Sequence, residues 1–189
     1  MRYGSEQKEI TRKRIIEKAG ERFKTDGIVA SGISVLMADA GLTNGAFYAH
    51  FKSKDELVTA TVTEQLRGES DRFIAVAGDP SALERVVRDY LSPDNRDNPA
   101  LGCPSAALLE EIGRSAQATR EAYTKGMVAN TRPLAADLQD ADEQERQVHA
   151  LGIFAVMAGT LQIARAVTDP ALSDALLEQG VVNVLALKQ

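Results

Sequence analysis

Cysteine is almost missing from this 189-residue chain, and histidine is scarce. The single Cys103 has no partner for an intramolecular disulfide, and two histidines with one cysteine make no zinc-ligand set. Disulfide-stapled and zinc-finger folds are therefore excluded, and neither a metal site nor a cofactor is expected. With 14 glycines and 6 prolines, punctuation is too sparse for a fibrous or low-complexity chain. The segment MRYGSEQKEI is charged where a signal peptide is apolar, and no apolar run approaches the roughly 18 residues that span a bilayer. A cytoplasmic protein without membrane contact is expected. Also absent are a G-x-S-x-G elbow, a metal-ligand pair and a Gly-rich phosphate loop, so the chain is not expected to be an enzyme. The enzymatic alternative is a small helical hydrolase using Cys103 or Ser105 with His149.

Alternating apolar and polar runs are lacking too, whereas apolar residues recur at three and four throughout, the pattern of an all-α protein. Hydrophobic residues make up 44% of the chain, enough for a sizeable core, and charged residues 26%. The net charge of −5 is unevenly spread. Through residue 58 there are ten Lys/Arg against eight Asp/Glu, a balance of +2, which leaves −7 for the rest. Any polyanion contact is thus expected at the N-terminal end.

The periodicity predicts a first helix through Ile15, Ala19, Arg22 and Phe23, ending at Gly27 as a left-handed cap. Ser31 or Ser34 would cap a short helix Val35 to Ala40, stopped at Gly41. A very short helix around Gly45 to Phe51 follows the turn, and Ser53-Lys54-Asp55-Glu56 forms a capping box for a long helix running into the seventies. That helix is expected to break at Gly78-Asp79-Pro80. Helices at 82–91, 105–115, 118–138 (broken or kinked at Pro133), 143–167 and 171–187 complete the chain, with 92–99 as a polar loop.

Two helices joined by a Gly-containing turn, the second too short to be stable alone, have the form of a helix-turn-helix. Within the second, Phe47 and Phe51 fall on one face as core anchors, which turns Thr43, Asn44, Ala46 and Tyr48 outward. The N-terminal residues of such a helix reach base edges in a major groove, while Tyr48, His50 and Lys54 lie where phosphates pass and Ser31 and Ser34 offer hydroxyls. Arg12, Lys13 and Arg14 form either a solvated face or further DNA contacts. Arg2 and Lys8 belong to a tail or a minor-groove arm.

The stretch from Gly41 to Leu57, GLTNGAFYAHFKSKDEL, resembles the signature of the TetR family of bacterial transcriptional regulators, and the likeness extends over about Thr11 to Val62. That resemblance implies an all-α fold: a three-helix DNA-binding domain over 1–53, then a helical ligand-binding and dimerisation domain over 54–189. It implies a homodimeric repressor on a palindromic double-stranded operator, released by a small-molecule inducer. Thr43, Asn44 and Ala46 would face bases, with Gly45 among the DNA-binding residues and Ser31, Ser34, Tyr48, His50 and Lys54 at phosphates.

In the C-terminal half, apolar and small residues on the last two helices (Val148, Leu151, Gly152, Ala155, Ala158, Gly159, Leu161, then Leu172, Leu176, Leu177, Val181, Val184, Leu185) suit a four-helix bundle with a second copy. Candidate ligand-lining residues are Phe73, Tyr90, Cys103, Tyr123, Met127, His149, Phe154 and Met157. Cys103, ahead of a predicted helix, opens an alternative: a thiol made reactive by the helix terminus, sensing electrophiles or oxidants.

Overall fold

Helices carry the whole architecture among the residues described by this computed structural model, which are 2–74, 80–136, 138–139 and 142–187, with side chains described for 6–70 and, within those ranges, from 83 onward. In chain order they are α1 (Arg2–Asp26), α2 (Ile33–Asp39), a 3₁₀ turn (Asn44–Ala49), α3 (Lys54–Ile74), α4 (Pro80–Tyr90), α5 (Pro93–Asp97), a second 3₁₀ turn (Pro99–Leu101), α6 (Pro104–Arg114), α7 (Gln117–Ala136), α8 (Glu143–Ala166) and α9 (Pro170–Leu187). The expected all-α class holds. Gly78 and Asp79 of the expected break lie outside the described residues.

Several boundaries follow from local chemistry. Gly27 and Gly41 take left-handed φ values of 88° and 69°, which end α1 and α2 where a side chain would be strained. Ser53 Oγ accepts from the Glu56 amide at 3.1 Å, and Glu56 Oε2 reaches back to the Lys52 amide at 2.8 Å, so the capping box opens α3. Asp142 caps α8 by accepting from the Glu145 amide at 2.8 Å.

Four expectations are corrected. Arg2 and Lys8 lie on α1, which begins at Arg2, rather than in an irregular tail. The N-cap of α2 is Gly32, without a side-chain cap, so neither Ser31 nor Ser34 caps it. The 92–99 loop contains α5, because Ser92 accepts from the Asn95 amide and Pro93 stands at the first helical position. Pro133 sits inside α7, which runs on to Ala136, so it does not break the helix.

The core is continuous from Ile15, Phe23, Leu36, Phe47 and Phe51 at the N-terminal end to Leu66, Met157, Leu161 and Val181 in the bundle. Helix α3 bridges the two ends, packing on α1 near its start and on α7 along its length. Among the described residues α8 is the one helix long and apolar enough to cross a membrane by length and composition. Here one apolar side of it is the interior of the bundle, with Ile153, Phe154, Met157 and Leu161 buried.

An ion-pair network ties α1 to α2. Arg22 grips Asp39 through both carboxylate oxygens, Nε at 2.8 Å and Nη2 at 2.9 Å, and extends Nη1 to Asp26 at 2.8 Å. The guanidinium hydrogen bonds hold the Asp39 carboxyl below its ordinary range. A carboxylate with a depressed folded-state pKa stabilises the fold at neutral pH and loses that contribution on acidification. Asp39→Asn is therefore expected to melt below the parent at pH 7, the gap closing as pH falls below about 4; thermal melts across pH 3–7 read this directly, and a constant gap contradicts it.

Candidate nucleic-acid interface and effector cavities

Phe47 and Phe51 are sealed in the core with ring centroids 5.8 Å apart. Their burial fixes what the turn Asn44–Ala49 presents: Thr43, Asn44, Gly45 and Tyr48 are exposed, Tyr48 at 71%. Its ring stands edge-on to Phe47 at 5.3 Å, which orients it outward rather than leaving it loose. Among the described residues no atom would touch a Cβ placed on Gly45, so they leave room for a close approach there. Ser34 is exposed on α2. Ala46 is half-buried and packs on the core, a smaller outward surface than expected.

Cationic groups gather beside this face. Arg12 lies 4.7 Å above the Phe51 ring, and Lys8 and Arg12 are both close enough to His50 to influence its proton. Burial first, and then those two cations, lower the His50 pKa, which favours the neutral imidazole. Lys13 and Arg14 are exposed on α1.

Two expected phosphate ligands are placed otherwise. Ser31 is 2% exposed and its hydroxyl donates to the Gly27 carbonyl at 2.6 Å, because the left-handed turn at Gly27 folds the next residues back onto α1. Lys54 turns its ammonium to the Ile28 and Val29 carbonyls of the loop that follows α1. Both residues shape the 27–30 loop. That loop is also pinned from α6, where Glu111 Oε2 accepts from the Val29 amide at 2.9 Å.

Residues 15–61, which span this entire arrangement, match the model of the bacterial regulatory proteins of the tetR family. The match covers the segment that carries the helix-turn-helix. Solved structures share the whole fold. A reduced form of NemR from E. coli has a TM-score of 0.78 at 18% identity, covering 95% of this chain and 98% of its own. A TetR transcriptional regulator from Chloroflexus aurantiacus has 0.73 at 23% identity, covering 98% and 96%. The regulator FadR of Bacillus subtilis, solved in complex with stearoyl-CoA, has 0.65 at 19% identity, covering 89% and 96%. No curated protein matches. Residues 15–61 thus match the tetR family's N-terminal model, and the chain as a whole shares the all-helical fold of these solved regulators.

The expected ligand-lining residues separate into different places. Tyr123, Met127 and Phe154 line a mainly apolar cavity of about 360 Å³ between α6, α7 and α8. Tyr90 and Cys103 line another of about 510 Å³ between α3, α4, α5 and the start of α6. A third, about 520 Å³ between α3 and α7, has the fully buried Asn130 at its floor, neither amide atom of which has a hydrogen-bond partner. Sequence reasoning missed Asn130, since a lone Asn within a helix carries no signal of burial. Met157 is interior packing and lines none of these three. His149 is held at the α8–α9 contact by the Leu187 carbonyl at 2.9 Å, away from the expected lining, and the side chain of Phe73 lies outside the described ones.

The chemistry expected of Cys103 and Ser105 is corrected as well. Cys103 is buried and its Sγ donates to Glu69 Oε2 at 3.2 Å; burial, reinforced by that carboxylate, pushes the thiol pKa up to about 12. Desolvation and a neighbouring negative charge outweigh the helix terminus, so the group is a protonated thiol, not a reactive thiolate. Ser105 accepts from the Tyr123 hydroxyl at 3.0 Å and donates toward Met127 Sδ at 3.5 Å, so neither nucleophile meets a histidine base. Iodoacetamide at pH 8 is expected to label Cys103 in denatured protein while leaving the folded protein unlabelled over the same interval; comparable labelling would contradict the protonated thiol.

Proposed function

We propose that the protein is a repressor that binds a palindromic operator as a homodimer and is released by a small-molecule inducer. The observation that carries this reading is the outward face of Thr43, Asn44, Gly45 and Tyr48, clamped by two buried phenylalanines and left exposed by the described residues. Thr43, Asn44 and Gly45 lead into the major groove, where the Asn44 amide can pair with adenine and the missing side chain of Gly45 lets the backbone come close. Ser34, Tyr48 and His50 donate to phosphates on either side, and Lys8, Lys13 and Arg14 add sequence-independent attraction. Residues 1–53 form the DNA-binding unit and 54–189 the effector and dimer unit, acting in the cytoplasm.

Two recognition turns must be held about 34 Å apart to meet successive major grooves, which requires a partner. Of the apolar residues expected at a dimer face, Ala158, Leu161, Leu177, Val181 and Val184 are buried inside the chain itself. The remaining surface forms two stripes at helical spacing: Val148, Gly152, Ala155 and Ile163 on α8, and Leu172, Ala175, Val182 and Ala186 on α9, all exposed. Nothing would touch a Cβ on Gly152, so a second helix can pack closely there. A four-helix bundle with the copy's α8 and α9 covers both stripes.

The decisive experiment is fluorescence anisotropy of the full chain on its own upstream DNA and on a scrambled duplex, at several salt concentrations. Specific binding with a steep salt slope is expected; equal, weak binding to both duplexes overturns the reading. Asn44→Ala is expected to lose about 1–3 kcal/mol on the specific duplex and almost nothing on the scrambled one. Val182→Glu, which places a charge in the dimer stripe, is expected to yield a folded monomer by light scattering and to bind the operator far more weakly than the parent. A Val182→Glu protein that stays dimeric removes α9 from the interface.

A further inference from the structure

The cavity of about 510 Å³ under α4 differs from the other two in the charge of its walls. Among the described residues that line it, three are carboxylic acids, Glu69, Asp89 and Asp94, and none is a lysine or arginine, the guanidinium of Arg165 standing behind Gly102. Val86 and Leu101 add apolar wall. The ring of Tyr90 is more than nine-tenths buried, with its other neighbour Phe154 edge-on at 5.9 Å. The Tyr90 hydroxyl has no hydrogen-bond partner; the Cys103 thiol is near enough for each to influence the other's proton, but not in bonding geometry. An unpaired buried hydroxyl costs free energy that a bound polar group would recover. Carboxylates around an aromatic ring favour one kind of guest: a positive head is attracted by both, and an anion is repelled.

A second set of contacts connects this cavity to the DNA-binding end. Its wall continues through Leu101, Gly102 and Cys103, and the Gly102 carbonyl accepts from Lys24 Nζ of α1 at 2.8 Å. The turn Pro99–Leu101 packs against α1. Arg165 holds the same wall from behind, donating to the carbonyls of Asn95, Arg96 and Ala106 at 2.8, 3.2 and 3.1 Å. A Cβ on Gly102 would come within 2.5 Å of Asn95 Oδ1, so the wall has little slack. A guest that displaces it moves a stiff unit whose next attachment is α1.

We propose that this cavity binds a compact organic cation, an ammonium or amidinium head on an apolar body, and that occupancy reaches the DNA-binding helices through the Gly102–Lys24 bond. The proposal deepens the inducer-released regulator reading and rests on it. The head lies among Tyr90, Glu69 and Asp94, and the body lies along Val86 and Leu101. The Tyr90 hydroxyl turns to accept from the head. The other two cavities, without this acidic wall, offer no such preference.

Three probes that share one body and differ in the head test this: 4-phenylbutylammonium, 4-phenylbutanol and 4-phenylbutyrate, titrated calorimetrically into the full chain at pH 7. The ammonium is expected to bind at least about tenfold tighter than the alcohol, with the butyrate weakest. Asp89→Asn combined with Asp94→Asn, both exposed positions that leave the core untouched, is expected to erase most of that difference, and Tyr90→Phe to weaken the ammonium alone. Equal affinities for the three heads, a preference for butyrate, or no binding of the ammonium at millimolar concentration overturns the proposal. In parallel, operator anisotropy with the ammonium present is expected to show weaker DNA binding in the parent and no change in Lys24→Met, which still binds the probe. Release that persists in Lys24→Met overturns the route through Gly102. Operator binding without any probe decides the regulator reading by itself, so failure of the cation site and failure of that reading are told apart.

Discussion

Burial of Phe47 and Phe51 is the constraint on which the outward chemistry of the N-terminal half depends. A six-residue 3₁₀ turn has too few internal hydrogen bonds to persist alone, and two aromatic anchors four residues apart hold it against α1 and α2 in a single orientation. Once both rings are inside, Thr43, Asn44 and Tyr48 have no direction left but outward. The same two rings give Tyr48 and Arg12 their orientations, one edge-on to Phe47 and the other above Phe51. Specific polar groups are thus positioned by apolar packing, and the residues that face a partner are not the ones that hold the turn in place.

The junction between the halves rests on a different currency, polar side chains that reach backbone groups around the end of α1. Lys54 from α3 takes up the Ile28 and Val29 carbonyls, Glu111 from α6 takes up the Val29 amide, and Lys24 reaches out to Gly102. These are three long polar side chains in partly exposed positions, each worth modest free energy compared with the continuous apolar core below them. A connection of this kind keeps α1 in register with α6 yet can be rearranged by a small force. Meanwhile α3 runs unbroken from its capping box to Ile74, so a tilt at either end is felt at the other.

How much was legible in the sequence divides by range. The two phenylalanines, the Ser53–Glu56 box and the left-handed glycines are local signals with local causes, and each is found where expected. Helix α5 escaped because five residues give no periodicity to detect, although Ser92 and Pro93 carried its start signal. The inward turn of Ser31 and Lys54 was hidden because it depends on where the 27–30 loop folds back, a tertiary fact. The last two helices are apolar on more than one side, so the pattern alone did not separate the residues packed within the chain, such as Leu161 and Val181, from the exposed Val148 and Val182. The cavity residues come from three or four elements each and carry no shared spacing at all.

Chemistry assigned to a residue type likewise depends on its surroundings. Cys103 at the start of α6 has the position that favours a thiolate, but the sulfur is enclosed and shares a hydrogen bond with a carboxylate, and these two effects together exceed what a helix terminus supplies. Enclosure that silences the thiol also strips water from Tyr90 beside it, whose hydroxyl is raised well above its ordinary pKa chiefly by burial. Two unsatisfied groups at cavity walls, the Tyr90 hydroxyl and the Asn130 amide, are costs that a sequence selected for stability alone would remove, since an apolar residue of similar shape in either place is neutral or better. Both lie beside space large enough for a small molecule, whereas the thiol is enclosed and protonated.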